Sequence, residues 1–280
     1  MLFRSYITGD LSLRAPHLFD GLTISDMAYS KSPYPVIWAV SSNGRLLGFT
    51  YVPEQGIGAW HQHSTDGLFE SVCVVSEGDE DAIYVVVNRT IGGSKKRYVE
   101  RFASRQFSAA SDGYFVDCGL TYSGSPATTI SGLSHLNGKT VSILADGSVH
   151  RQLVVSSGQI TLDQAASKVH IGLPYNSDAK TLPMSIETMA YGQGREKNVN
   201  TAWLRVYRSS GIFVGPDETS LTEAKQRTDE PYGSPPDLKT QEIRLMITPA
   251  WRDSGQIFIR QKDPLPLTIV SMTLEVAIGS

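Results

Sequence analysis

The chain has 280 residues and a formal net charge of −3. At 40% hydrophobic and 19% charged residues it buries too much apolar surface to be disordered, and its charge balance does not suit a whole-chain nucleic-acid binder. Two cysteines exclude a disulfide scaffold or a four-thiolate zinc site, and 25 Gly with 14 Pro exclude a helical bundle.

The length points to two or three compact units. No apolar run is long enough to span a membrane, and Arg4, Asp10 and Arg14 break the start of the chain where a signal-peptide core would lie. The reading is a protein of the cytosol, or of a particle assembled there, with Cys73 and Cys118 as free thiols.

The first third reads as strands and turns. Residues 36–40 (VIWAV) form a β-branched and aromatic run. Asn43-Gly44 follows and predicts a primed hairpin turn into 45–52 (RLLGFTYV). Strands are then expected at 57–63 (IGAWHQH), 69–75 (FESVCVV), 82–90 (AIYVVVNRT) and 97–102 (RYVERF), with an acidic loop at 77–81. An offset of about 46 residues, near a propeller-blade period, lays Met27 on Cys73, Ile37 on Ile83, Trp38 on Tyr84 and Val40 on Val86. Two blades are fewer than a propeller needs to close, so the sheet edges near Ile24 and Phe102 are expected to want a partner.

A small-polar linker at 103–113 leads to a second unit beginning near Tyr114, with strands expected at 140–144, 152–155, 159–162 and 169–173. Asp146-Gly147 supplies a turn between them, and this spacing suggests a small β-barrel. In the last stretch, strands are expected at 201–207, 243–248, 257–260 and 269–278. Between them, residues 215–237 carry Pro216, Pro231, Pro235 and Pro236 and predict a long exposed loop, with 221–227 its best short helix. The expected architecture is therefore all-β: incomplete propeller blades over 1–107, a barrel-like domain over 108–183, and a β-rich domain over 184–280.

Candidate chemistry is sparse. His61 and His63 share one face of a strand, as the start of a metal site would, but no third ligand accompanies them. Asp79, Glu80 and Asp81 lack the spacing of a calcium loop, and Asp66 with Glu70 is a carboxylate pair of a kind any chain contains. Arg89, Lys95, Lys96, Arg97, Arg101 and Arg105, with Glu100 the only acid among them, could touch phosphates or line the wet side of an outer strand. Asn88-Arg89-Thr90 is a sequon with no secretory context. Tyr191-Gly192-Gln193-Gly194-Arg195 is too short for a dinucleotide fingerprint. No phosphate loop, nucleophile elbow or paired Cys-x-x-Cys occurs. No catalytic residue, cofactor or metal is expected. Trp38, Trp60, Trp203 and Trp251 are candidates for stacking on a sugar, or for core packing on alternating strands.

Several strings carry a resemblance. Residues 35–40 (PVIWAV), 48–51 (GFTY), 59–63 (AWHQH) and 66–72 (DGLFESV), then 132–141 (GLSHLNGKTV) followed by 145–147 (ADG), are similar to a family of bacteriophage tail nozzle or tail tubular proteins, related in architecture to packaged-DNA stabilisation proteins. So are 172–175 (GLPY), 181–183 (TLP) and 263–266 (DPLP). The resemblance implies a virion component with propeller and small β domains, partnered by other tail and adaptor subunits and by further copies of itself, and facing packaged DNA. Family members are longer ahead of Leu18-Phe19, so the chain is expected to match a C-terminal portion. The competing expectation is a tail module that binds a carbohydrate or a receptor.

Overall fold

The computed structural model describes residues 10–185, 194–225, 227, 229–231 and 234–279. Arg4, and Tyr191, Gly192 and Gln193 of the short glycine motif, lie outside them. Strands take 55% of the chain, far above the quarter usual in globular proteins. The helical pieces among the described residues are single 3-10 turns such as Leu11–Arg14 and Pro16–Leu18. The chain divides into two compact units, Met1–Ser104 and Arg105–Ser280.

The first unit holds two antiparallel sheets. Strands β1 (Ile24–Ser30), β2 (Val36–Ser41), β3 (Leu46–Val52) and β4 (Ile57–His63) form a meander in chain order, and β5 (Leu68–Glu77), β6 (Glu80–Ile91) and β7 (Ser94–Arg101) form a second. Alternation decides which side of each strand is buried. Val36, Trp38, Val40 and Leu46 of the first sheet meet Phe69, Val72, Val85 and Val87 of the second in one core. On the opposite face of the first sheet, Ala39 and Leu47 are covered by Ala15 and Leu18 of the 3-10 turns, with Phe19 and Trp60 beside them.

The expected hairpin forms, but its turn differs from the primed type. Gly44 N donates to Ser41 O at 2.8 Å and Ser41 N to Arg45 O at 2.9 Å. Gly44 has φ +76°, whereas Asn43 is not among the positive-φ residues. This is a type I turn closed by a left-handed glycine. Asn43 stays right-handed and spends its side-chain carbonyl on the Arg45 amide.

The internal repeat is visible in the registers of the first two strands of each sheet, with one correction. It does not keep its offset in the third strands, where Trp38 pairs with Gly48 but Tyr84 with Arg101, 53 residues further on rather than about 46. At the expected offset Ala39 corresponds to Val85 and Trp38 to Tyr84. Ala39 pairs with Met27 and Val85 with Val72; Trp38 pairs with Ala28 and Tyr84 with Cys73. The registers therefore equate Met27 with Val72, not with Cys73, and Ala28 with Cys73. Between β1 and β5 the spacing is one residue shorter than between β2 and β6. The second copy ends at β7, and no strand stands where β4 would repeat.

The second unit contains two separate cores. Strands β8 (Asp117–Ser131), β9 (Thr140–Ala145), β10 (Ser148–Val154) and β11 (Gln159–Leu173) form a sheet of order β10-β9-β11-β8. It wraps Ile130, Leu133, Leu136, Val141, Ile143, Val169 and Ile171. The β9–β10 turn is primed, with Asp146 at φ +45° and Gly147 at +83°. Sequence patterning gave no strand at 117–131, because its small polar run TYSGSPATT is exposed along most of its length.

The remaining strands make two sheets over one core. They are β12 (Ser177–Lys180), β13 (Lys197–Ser209), β14 (Phe213–Gly215), β15 (Thr222–Glu223), β16 (Lys239–Met246), β17 (Phe258–Gln261) and β18 (Ile269–Ile278). The sheets run β12-β17-β14-β15 and β16-β13-β18, and Val199, Leu204, Val206, Ile212, Val214, Leu245, Ile257 and Ile259 lie between them. The short helix expected at 221–227 is not formed: Thr222 and Glu223 pair as a strand with Val214 and Phe213. β-branched Thr222 suits that pairing. The loop that begins at 215 is thereby anchored at its start, and Asp217 accepts bonds from Thr219 and Ser220.

Candidate functional site

The histidine pair is the first candidate. In β4 the side chains of His61 and His63 point to the side of Trp38, and each ring lies within 6 Å of the Trp38 ring. Phe102 closes the cluster from the end of the unit. Gly48 makes room for it. It pairs with His61 across β3 and β4, and a Cβ there would sit 2.1 Å from the His61 ring. The two imidazoles bond to each other, His61 Nδ1 to His63 Nε2, at 2.9 Å. One nitrogen donates and the other accepts, so the bond needs at least one neutral ring. Among the described residues no group of three or more His, Cys, Asp or Glu is placed to hold a metal ion. The pair is a hydrogen-bonded element of an aromatic cluster.

The basic stretch does not present a continuous cationic face. Arg89 is 2% exposed and binds Glu100 in two places, Nε to Oε1 at 2.6 Å and Nη2 to Oε2 at 2.7 Å. Its Nη1 donates to the Asp66 carbonyl. Arg97 pairs with Glu70 and Arg101 with Glu77 and Glu80. The Arg97 guanidinium, helped by Asn88, holds the Glu70 carboxyl below the usual range. Asp66 and Glu70 are thus drawn into separate structural bonds. Lys95 and Lys96 are exposed on β7.

The expected acidic loop at 77–81 is instead a tight turn, with Glu77 ending β5 and Glu80 and Asp81 opening β6, and its residues tie the two sheets together. Asp81 accepts from the Ser76 hydroxyl and from the amides of Lys31 and Ser32, and these bonds lower its pKa. The Asp79 carbonyl accepts from the Ser32 hydroxyl. Asp26 makes a second tie by accepting from Ser71 Oγ at 2.6 Å and Val72 N at 3.0 Å, and the serine bond is the main reason its carboxyl is depressed.

Sequence patterning passed over His170. It is 4% exposed. Its Nε2 lies 2.9 Å from the Ser111 carbonyl and its Nδ1 2.8 Å from Thr121 Oγ1, under the Tyr114 ring. The carbonyl requires a proton on Nε2, so Nδ1 accepts from the threonine hydroxyl. A base beside a hydroxyl is half of a nucleophilic pair, but although Thr121 is exposed the imidazole is buried, its two nitrogens are spent on Ser111 and Thr121, and burial lowers its pKa. The arrangement fixes strand against loop.

The four tryptophans separate. Trp38 is buried and donates to Ser30 Oγ. Trp60 packs on Phe49 and Phe19 and donates to the Leu11 carbonyl. Trp203 is half-buried in β13 beneath Arg244. Trp251 does not lie on a strand as expected, and 49% of it is exposed. Cys73 and Cys118 are not joined in a disulfide. Among the described residues no helix is long and apolar enough to cross a membrane. Compared with known protein families and with curated proteins, the chain matches none.

Proposed function

We propose that the chain is a structural component of a bacteriophage tail, a nozzle or tail-tube subunit that helps join portal to tail and channels or retains the packaged genome. The observation that carries this reading is the tandem of two repeated sheets with apolar residues exposed on their outer faces, followed by two further β modules. Such parts bury surface by stacking on neighbours. In this reading the first unit supplies two propeller blades, the sheet over 117–173 is a small barrel, and the rest is a β-rich C-terminal domain. The work done is assembly rather than catalysis, without a cofactor or metal. The partners are tail and adaptor subunits and further copies in the virion, and Lys95 and Lys96 are the groups best placed to meet DNA phosphates. The motif series that resembles tail nozzle proteins supports the same reading.

The test is immunogold labelling of phage particles, induced from the organism that encodes the chain, with an antibody to the purified protein. Gold at the tail supports the reading; particles that stay unlabelled while the chain is present in the lysate refute it. A second reading, a carbohydrate- or receptor-binding tail module, is favoured by the exposure of Trp251 alone. It requires tryptophan emission to change on adding host glycans, and that change to vanish in Trp251→Ala.

A further inference from the structure

The two sheets of the first unit meet through a particular pair of faces. The first sheet contributes Ala28, Val36, Trp38 and Val40; the second contributes Val72, Val74, Ile83 and Val85. The registers give the counterpart of each position in the other sheet. Val72, Val74, Ile83 and Val85 correspond to Met27, Tyr29, Ile37 and Ala39, which lie on the outer face of the first sheet. Ala28, Val36, Trp38 and Val40 correspond to Cys73, Ala82, Tyr84 and Val86, on the outer face of the second. All eight outer residues are apolar or aromatic, although Ala39 and Ala82 are already buried, and on the second sheet Arg101, which pairs with Tyr84, and Glu77, which accepts from the Tyr84 hydroxyl, share the same face. Met27 is 62% exposed and Tyr29 53%. Cys73 is exposed, and Val99, which pairs with Val86, is 75% exposed. The chain thus carries its own sheet–sheet interface once complete and again as two separated halves, one on each outer face.

We infer that the missing occupant of each outer face is the opposite outer face of a second copy of this chain, so that copies join head to tail by continuing the internal stack. A contact between two different faces is heterologous and closes into a ring when the rotation per copy allows. Propellers hold about 4–8 blades. At two sheets per chain, about two to four copies complete one. The 3-10 turns already cover Ala39 and Leu47, so the outer contact falls on β1 and the adjoining part of β2. The second sheet contributes Ser71 at the position equivalent to Asp26, so the carboxylate tie of the internal contact is not repeated. Association therefore rests on the apolar area of Met27, Tyr29, Cys73 and Val99, flanked on the second sheet by the Arg101–Glu77 and Arg97–Glu70 ion pairs. The inference rests on the blade reading made above, and not on the place of the chain in a virion.

The experiment is light scattering on the full chain with two blocked variants. Met27→Glu/Tyr29→Glu blocks one face and Cys73→Glu/Val99→Glu the other; far-UV circular dichroism confirms that each folds. The wild type is expected at two, three or four times 30.6 kDa, each variant at the monomer mass, and an equimolar mixture of the variants at twice that mass, because one intact contact remains between them. Should either double variant misfold, Met27→Gln and Cys73→Ser weaken the same faces and are expected to lower the assembly constant at least tenfold. A wild type that stays monomeric up to its solubility limit overturns the inference. So does an oligomer that survives both variants, or variants that do not combine. Immunogold labelling of tails by a monomeric chain would leave the tail reading standing and this one refuted.

Discussion

The buried pair of Arg89 and Glu100 offers the sharpest test of how the first unit is held. The Arg89 side chain is 2% exposed and that of Glu100 23%. Replacing Glu100 by leucine removes both carboxylate bonds and leaves the guanidinium with the Asp66 carbonyl. Losing one partner of a fully buried pair costs about 3–5 kcal/mol. Glu100 is partly wet, which lowers the expected loss to about 2–3 kcal/mol. In a unit of roughly 100 residues each kcal/mol moves the melting point by about 4–8 °C, so Glu100→Leu should melt about 8–24 °C lower. The assay is tryptophan emission in a Trp203→Phe/Trp251→Phe background, where Trp38 and Trp60 report on the first unit. Arg89→Met/Glu100→Leu removes both charges and should recover most of the loss. A Glu100→Leu protein that melts within about 2 °C of its parent, or a double variant no better than the single one, refutes the account. In the tail reading, DNA binding should persist in Arg89→Met/Glu100→Leu and be lost on reversing Lys95 and Lys96.

Gly48→Ala places a methyl carbon where the His61 ring lies; it should break the imidazole pair, shift Trp38 emission and cost about 1–3 kcal/mol, as a denaturant melt would show. Gly215→Ala sets a Cβ 1.8 Å from the Ser220 carbonyl oxygen, which cannot yield as a flexible side chain would, so β14 and β15 should separate and calorimetry should show the second unit destabilised by more than about 2 kcal/mol. Burial lowers the pKa of His170 below its ordinary value. The unfolded chain therefore binds more protons below about pH 6.5 and stability falls with pH there; His170→Asn should flatten that slope in urea melts taken between about pH 5 and 7.

Period-2 patterning carried the strands that bury one face. Residues 36–40 and 140–144 were readable because β-branched runs stood beside strong turn residues, and the first sheet follows them closely. Strands β12 and β15 escaped detection because their residues are mostly exposed, and their place is set by backbone pairing with β17 and β14. The repeat was readable in β2 and β6, where β-branched and aromatic runs stand at corresponding positions. It slipped by one residue in β1 and β5, because six residues connect the paired Val75 and Ala82 where five connect Ser30 and Val36, and the length of a turn leaves no mark on the strand pattern. The basic stretch could not be resolved from sequence at all. Whether Arg89 faces water or Glu100 depends on the register between β6 and β7, which charge spacing does not encode.

Strand order also sets the sequence of events during synthesis. The first sheet runs β1-β2-β3-β4 and the second β5-β6-β7, so every pairing in the first unit joins chain neighbours. Such local topology folds fast and can finish while later residues are still being made. The sheet around β13 is the opposite case. Its central strand waits for β16 on one side and for β18 on the other. Met272 and Leu274 complete the core over β13 only when Ile269–Ile278 has left the ribosome. A premature stop anywhere ahead of β18 therefore yields a chain with a sound first unit and an unpaired, apolar β13 flank, a product suited to degradation or to strand exchange with another nascent copy.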